Sequence, residues 1–157
     1  MTGLFWNFSL AACWVFLSSN FEAINYLFGF LIGYLIIALI HQHVPMLNGY
    51  PARLPRAISF ICYLAKELVV SNLRVAADIV TSRVLMTPGV LAFKTEAKTN
   101  MEITMLSNVI TLTPGTLVLD VSEDKTTLFV HAMFLDEVDE VLEQLRELEQ
   151  RLLQVIR

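Results

Sequence analysis

The residues that could do chemistry are few, and their spacing serves it poorly. His41 and His43 lie two apart at the end of an apolar run. Two imidazoles without a nearby Cys or carboxylate make a weak chelate, so they read as an interfacial pair. His131 alternates with Phe129 and Met133 in a strand-like stretch, where a structurally satisfied histidine is the ordinary case and a general base the exceptional one. Asp120, Glu123 and Asp124 surround a turn, the usual place for solvated acids. Cys13 and Cys62 occupy apolar stretches without CxxC spacing and read as buried small hydrophobes. Thr-Pro-Gly occurs at Thr87–Gly89 and Thr113–Gly115, with neither the glycine pattern nor the lysine of a phosphate-cradling loop. No nucleophile–base pair emerges. The expectation is no catalytic residue, no cofactor, no metal site and no small-molecule substrate bound by this chain alone.

Lys66, Glu67, Arg74 and Asp78 remain, the only charged groups within reach of a bilayer interior. Ion transport through a membrane needs ionisable groups at depth. These four lie on one segment, Ala57 to Val80, whose first half, AISFICYLA, is apolar all round. Its second half puts Glu67, Ser71, Arg74 and Asp78 along one side and Leu68, Asn72, Val75 and Ile79 along another. A polar face against the interface or against a neighbouring protein is the simpler reading, so transport by this chain alone is not expected.

The elements that carry these residues differ sharply in composition. Of 157 residues, 55% are hydrophobic and 17% charged, which points to a membrane protein. Residues 1–56 and 57–88 each carry a net charge of +1, whereas residues 89–157 carry −6. An acidic C-terminal part excludes nucleic acid as a natural partner, because phosphates are neutralised by Lys and Arg.

Gly3–Ser19 and Ala23–Ile40 are apolar runs with no charged residue, interrupted by Asn7, Ser9 and Asn25. About 20 helical residues cross a hydrocarbon core of ~30 Å. Both runs are short, with Trp6, Trp14 and Tyr34 available as interfacial anchors. The link SSNFE permits only a tight hairpin, and Gly29 and Gly33 form a G-x-x-x-G packing face. The box LAAC at Leu10–Cys13 resembles a lipoprotein cleavage site. No base precedes it, and Trp14 to Leu17 continue the apolar run, unlike a secretory signal. Arg53, Arg56, Arg83, Lys94 and Lys98 all follow the second run. Two spans therefore leave every one of these bases in the cytoplasm, whereas a third span would turn Arg53 and Arg56 outward. The reading is a transmembrane hairpin over 1–45, an amphipathic interfacial or spanning helix over 53–86, and a cytoplasmic α+β domain over 87–157.

In that domain VLAFKT reads as a strand, and Thr99 to Glu102 as a capping box. The box opens a helix with Met101, Met105, Val109 and Leu112 on one side. TLVLDV and TLFVHAM read as strands joined by a turn at Ser122–Lys125. A last helix from Asp136 carries a stripe of Val138, Val141, Leu145, Leu148, Leu152 and Val155. The order β-α-β-β-α predicts an incomplete ferredoxin-like sandwich: a parallel pair joined by a crossover helix, plus a hairpin. Such a module is small and leaves strand edges unpaired, so a partner is expected.

The stretch NVITLTPGTLVLDVSEDKTTLFVHAM, Asn108 to Met133, resembles the signature of the E subunits of the multi-subunit, Mrp-type sodium/proton antiporters of bacteria. The similarity extends through YLAKELVVSNLRVA at Tyr63–Ala76, TPGVLAFKTE at Thr87–Glu96 and FLIGYLI at Phe30–Ile36, which is nearly the whole chain. The resemblance implies a small multi-pass component of the bacterial inner membrane. Its complex would exchange external protons for cytoplasmic sodium or potassium through larger subunits, and this one would support assembly. It assigns no catalytic residue. On this reading Gly29, Gly33, Lys66, Glu67, Asn72 and Arg74 are the candidates for contact with other subunits. The alternatives are a membrane-anchored sensor or binding module, a small membrane enzyme, and the corresponding component of a related membrane-bound hydrogenase.

Overall fold

The computed structural model describes residues 2–47, 49–80, 87–135 and 138–157, with the Arg74 side chain outside that description. Contacts divide the chain into two units, Met1–Pro55 and Arg56–Arg157.

The first unit is a helical hairpin. Helix α1 (Thr2–Ser18) and helix α2 (Ala23–Ile40) are joined by a four-residue turn. Asn25 closes that turn by donating to the Asn20 carbonyl at 2.7 Å and accepting the Trp14 indole N–H at 3.0 Å. The buried positions recur every fourth residue: Gly3, Asn7, Ala11 and Val15 on α1, and Gly29, Gly33 and Ile37 on α2. This is the i±4 ridge of each helix, laid into the groove of the other. Their small residues let the two backbones approach closely. Helix α2 is long and apolar enough to cross a membrane; α1, at 17 residues, is apolar but shorter.

Helix α3 (Tyr50–Val80) begins earlier than the apolar pattern predicts and carries Pro55 in its interior. Proline has no N–H to give the carbonyl four residues before it. That carbonyl, of Pro51, accepts instead the Tyr34 hydroxyl at 3.0 Å. The helix tolerates its proline because a side chain replaces the lost bond.

The second unit holds β1 (Gly89–Lys94), α4 (Asn100–Leu112), β2 (Thr116–Val121), β3 (Thr127–Ala132) and α5 (Val138–Ile156). The sheet order is β1-β3-β2, antiparallel throughout. The expected parallel pair is a split one: β1 and β2 run the same way, and β3 lies between them. Leu91 and Phe93 of β1 pair across Val130 and Leu128 of β3, and with Ile103, Leu106, Ile110, Leu145, Leu148 and Leu152 they form one core. The buried side of α4 is therefore Ile103, Leu106 and Ile110, with Met101, Met105 and Leu112 exposed. The Met-rich stripe is an equally good helical spacing, and only the position of the sheet chooses between the two. On α5 the expected stripe holds at Leu145, Leu148 and Leu152, while Val138 is exposed and Asp136 lies outside the described residues.

The capping box forms as the spacing predicts: Thr99 accepts from the Glu102 N–H, and the Glu102 carboxylate accepts from the Thr99 N–H. The two Thr-Pro-Gly segments use glycine differently. Gly115 has φ 93°, a left-handed conformation that ends the approach from α4. Gly89 is already in a strand, and a β-carbon there would run into the Leu135 side chain. Its requirement is close packing, not positive φ. Both cysteines are exposed, against expectation. Each helix turns only one face inward, and Cys13 and Cys62 lie on the other.

Candidate subunit-contact site

Gly29 and Gly33 face α1 within the hairpin. A β-carbon on Gly29 would meet the Ala11 backbone at 2.9 Å, and one on Gly33 would overlap the Asn7 side chain. Asn7 is fully buried, with its amide N–H donated to the Tyr50 hydroxyl at 2.7 Å. Its Oδ1 has no hydrogen-bond partner among the described residues and lies against Gly33. Gly3 leaves the space that the Tyr50 ring fills, and Tyr50 stacks edge-on to Tyr34. The two glycines thus work inside a polar knot of Asn7, Tyr34 and Tyr50.

On α3, Phe60 is buried in the core of the second unit, with Tyr63 and Leu64 packed beside it. The Arg151 guanidinium lies 4.4 Å from the Tyr63 ring centroid and pairs with Glu147 at 2.7 Å. One turn further along, Glu67 and Ser71 line a hollow of about 240 Å³ with Thr113, Gly115, Phe134 and Glu140. This brings the Glu67 side of the helix to the second Thr-Pro-Gly turn. Lys66 and Asn72 are exposed, and Asn72 donates to the Leu68 carbonyl at 2.7 Å. Arg74 falls outside the described side chains. Of the six candidates, two are packed within the hairpin, Glu67 lines the hollow, and Lys66 and Asn72 are open to a partner.

Sequence reasoning placed Glu102 in the capping box but missed its burial and its Arg157 partner, and it missed Glu149 altogether. Glu102 is nearly buried and accepts the Arg157 Nε–H at 3.0 Å. That hydrogen bond, with the Lys98 and Thr99 backbone N–H groups, holds its carboxyl down from the ordinary 4.5 to about 2. The Glu149 carboxylate is buried on α5 and accepts from the Glu96 N–H at 2.8 Å and from the Thr95 hydroxyl. These two carboxylates tie α4 and α5 to the segment after β1. The signal for Glu149 was its position between Leu148 and Leu152 on the apolar side of α5. Among the described residues no cluster of His, Cys, Asp or Glu could hold a metal ion.

An apolar helical hairpin followed by a small unit of helices and a three-stranded antiparallel sheet defines a membrane-compatible α+β protein. The chain belongs to a family described as Na+/H+ ion antiporter subunit, which it matches over residues 7–155. It is 37% identical over 141 residues to the Na(+)/H(+) antiporter E subunit of Bacillus subtilis (strain 168), covering 90% of this chain and 89% of that one. It is 33% identical over 140 residues to the antiporter's E1 subunit of Staphylococcus aureus (strain bovine RF122 / ET3-1), with 89% and 87% covered. Among solved structures it is similar to a chain of the Mrp complex from Dietzia sp. DQ12-45-1b, with TM-score 0.52, 31% identity, and 65% of this chain and 96% of that one covered. It is also similar to a chain of the membrane-bound sulfane sulfur reductase, an archaeal respiratory membrane complex, with TM-score 0.52, 28% identity, and 86% and 84% covered. Its relatives are subunits of multi-subunit membrane complexes, so partner subunits are part of its setting.

Proposed function

We propose that this chain is an accessory component of a bacterial monovalent cation/proton antiporter, which braces the complex and carries no ion path itself. The observation that carries this reading is the chemistry of the hairpin: α1 and α2 contain no Asp, Glu, Lys, Arg or His. Their one fully buried polar side chain among the described residues, Asn7, is engaged by Tyr50. A proton or cation relay needs groups that change charge at depth, and an amide and two phenols locked together do not provide it. In this reading the hairpin spans the inner membrane twice, and the second unit lies in the cytoplasm, as the bases that follow α2 favour. The split order of β1, β3 and β2 supports an incomplete ferredoxin-like sheet with its fourth strand missing. The exchanged cation is sodium, or potassium in related systems. Similarity to the archaeal respiratory chain favours one second reading, the corresponding component of a related respiratory membrane complex.

Lys66, Glu67, Asn72 and Arg74 are the proposed docking positions on α3, whereas Gly29 and Gly33 act on assembly indirectly, by letting α1 and α2 close into one hairpin. Replacing Lys66 by Met and Glu67 by Gln together should lower the recovery of intact complex several-fold. The sodium dependence of whatever exchange remains should stay unchanged. Normal complex levels with an altered sodium dependence would overturn the accessory role. Vesicles containing this chain alone should show no cation-coupled pH change.

A further inference from the structure

The two edges of the sheet are treated differently. In β2 the backbone groups of Thr116, Val118 and Val121 point away from β3, as the register requires. All three amides are satisfied inside the chain. Thr116 N–H goes to the Thr113 carbonyl at 3.2 Å, Val118 N–H to the Thr111 hydroxyl at 3.3 Å, and Val121 N–H to the Asp120 carboxylate at 2.7 Å. A bulge between Val118 and Asp120 breaks the line of this edge further. Natural sheets close edges by such means, since an open edge is a template for another strand.

The β1 edge has none of this. Thr95 N–H bonds the Thr126 carbonyl, so Phe93 and Leu91 continue the bonded pairs with β3. Val90, Ala92 and Lys94 then direct their N–H and C=O groups away from the sheet. No partner for these amides exists among the described residues, and all three residues are exposed. Their side chains lie on the open face of the sheet, in rows with Phe129, His131 and Leu117. Exposed Val90, Leu117, Leu119 and Phe129 make that face apolar.

We propose that β1 is a docking edge, along which an extended segment of a different subunit of the complex adds as a fourth strand. Backbone hydrogen bonding supplies the affinity, and apolar side chains at alternate positions of the added strand extend the Val90–His131–Leu117 row. A different protein fits better than a second copy. Residues 89–157 carry a net charge of −6, so two copies meeting edge to edge would bring like charges together. The incoming segment is accordingly neutral or basic overall. The proposal rests on membership of a multi-subunit complex and not on the accessory role, so either can fail alone.

Residue-resolved amide hydrogen exchange on the assembled complex tests it. Val90, Ala92 and Lys94 should be protected to within roughly tenfold of Leu91 and Phe93, whose amides face β3. Fast exchange at all three in the complex would overturn the proposal. So would equal protection in the purified full chain without other subunits, since a second copy (concentration-dependent) or this chain itself (concentration-independent) would then cover the edge. Ala92→Pro removes one outward N–H at a position where an edge strand accepts proline. It should leave chain levels in the membrane unchanged and lower co-purification with the other subunits by about tenfold or more. Ala92→Ser, which keeps the N–H, should co-purify normally; loss with serine as well would assign the effect to the side chain and reject strand addition.

Discussion

On the hairpin, Leu39 is 78% exposed while the polar Asn7 is fully buried. In the α+β unit the order is reversed: Leu106, Leu128 and Val130 are fully buried, and the acids of α5 lie mostly outside. On the proposed reading, with the hairpin in lipid and the α+β unit in water, the same residue types occupy opposite positions because their surroundings differ. Where apolar side chains face lipid, no hydrophobic force draws the helices together, and close fit between small residues must do so. Where they face water, burial of Leu, Ile and Val is the main driving force. The two units therefore have different weak points: filling a gap harms the hairpin, and making one harms the sheet.

The largest expected effect is in the sheet core. Leu128→Ala should cost about 2–5 kcal/mol, seen as a lower melting temperature of the complex or loss of the chain from membranes. Leu39→Ala, although it removes the same atoms, should change little; equal losses at the two sites would break the contrast. Next is Gly33→Leu, which drives a side chain into Asn7 and should cost about 1–3 kcal/mol. Asn7→Ala in the same chain should restore part of that loss of hairpin stability, since it vacates the space. A double variant no better than Gly33→Leu would show that the α1 backbone, not the amide, sets the limit.

The smallest effect is one of pH, and it belongs to the α+β unit alone. The Glu102 carboxyl is held at about 2 rather than 4.5 by Arg157 and two backbone N–H groups. A carboxyl depressed in the folded state contributes stability that is complete above its unfolded value. That contribution is lost as pH falls from about 4.5 towards 2. Thermal unfolding of the chain in detergent over that range should become less acid-sensitive in Glu102→Gln. An unchanged acid dependence would place the sensitivity elsewhere.

Much of this was legible from local pattern. The apolar runs predicted α1 and α2, the Thr99–Glu102 spacing predicted the capping box, and alternation predicted all three strands, because each depends on neighbours within a few residues. Family membership was equally legible, through the long stretch from Asn108 to Met133. What alternation cannot reveal is which strand lies beside which. Insertion of β3 between β1 and β2 joins residues far apart in sequence, and with it came the choice of the Ile103–Leu106–Ile110 face over the methionines.

The partners of buried polar groups were decided in the same way. Asn7 with Tyr50, Tyr34 with the carbonyl that Pro55 leaves unpaired, and Glu102 with Arg157 all join distant positions. Composition by itself determined the kind of solvent each segment prefers, since hydropathy and period are properties of single short stretches. Only the tertiary structure decided which edge of the sheet is closed and which is open. A backbone hydrogen bond is directional, and its partner is chosen by where the whole chain brings the other strand.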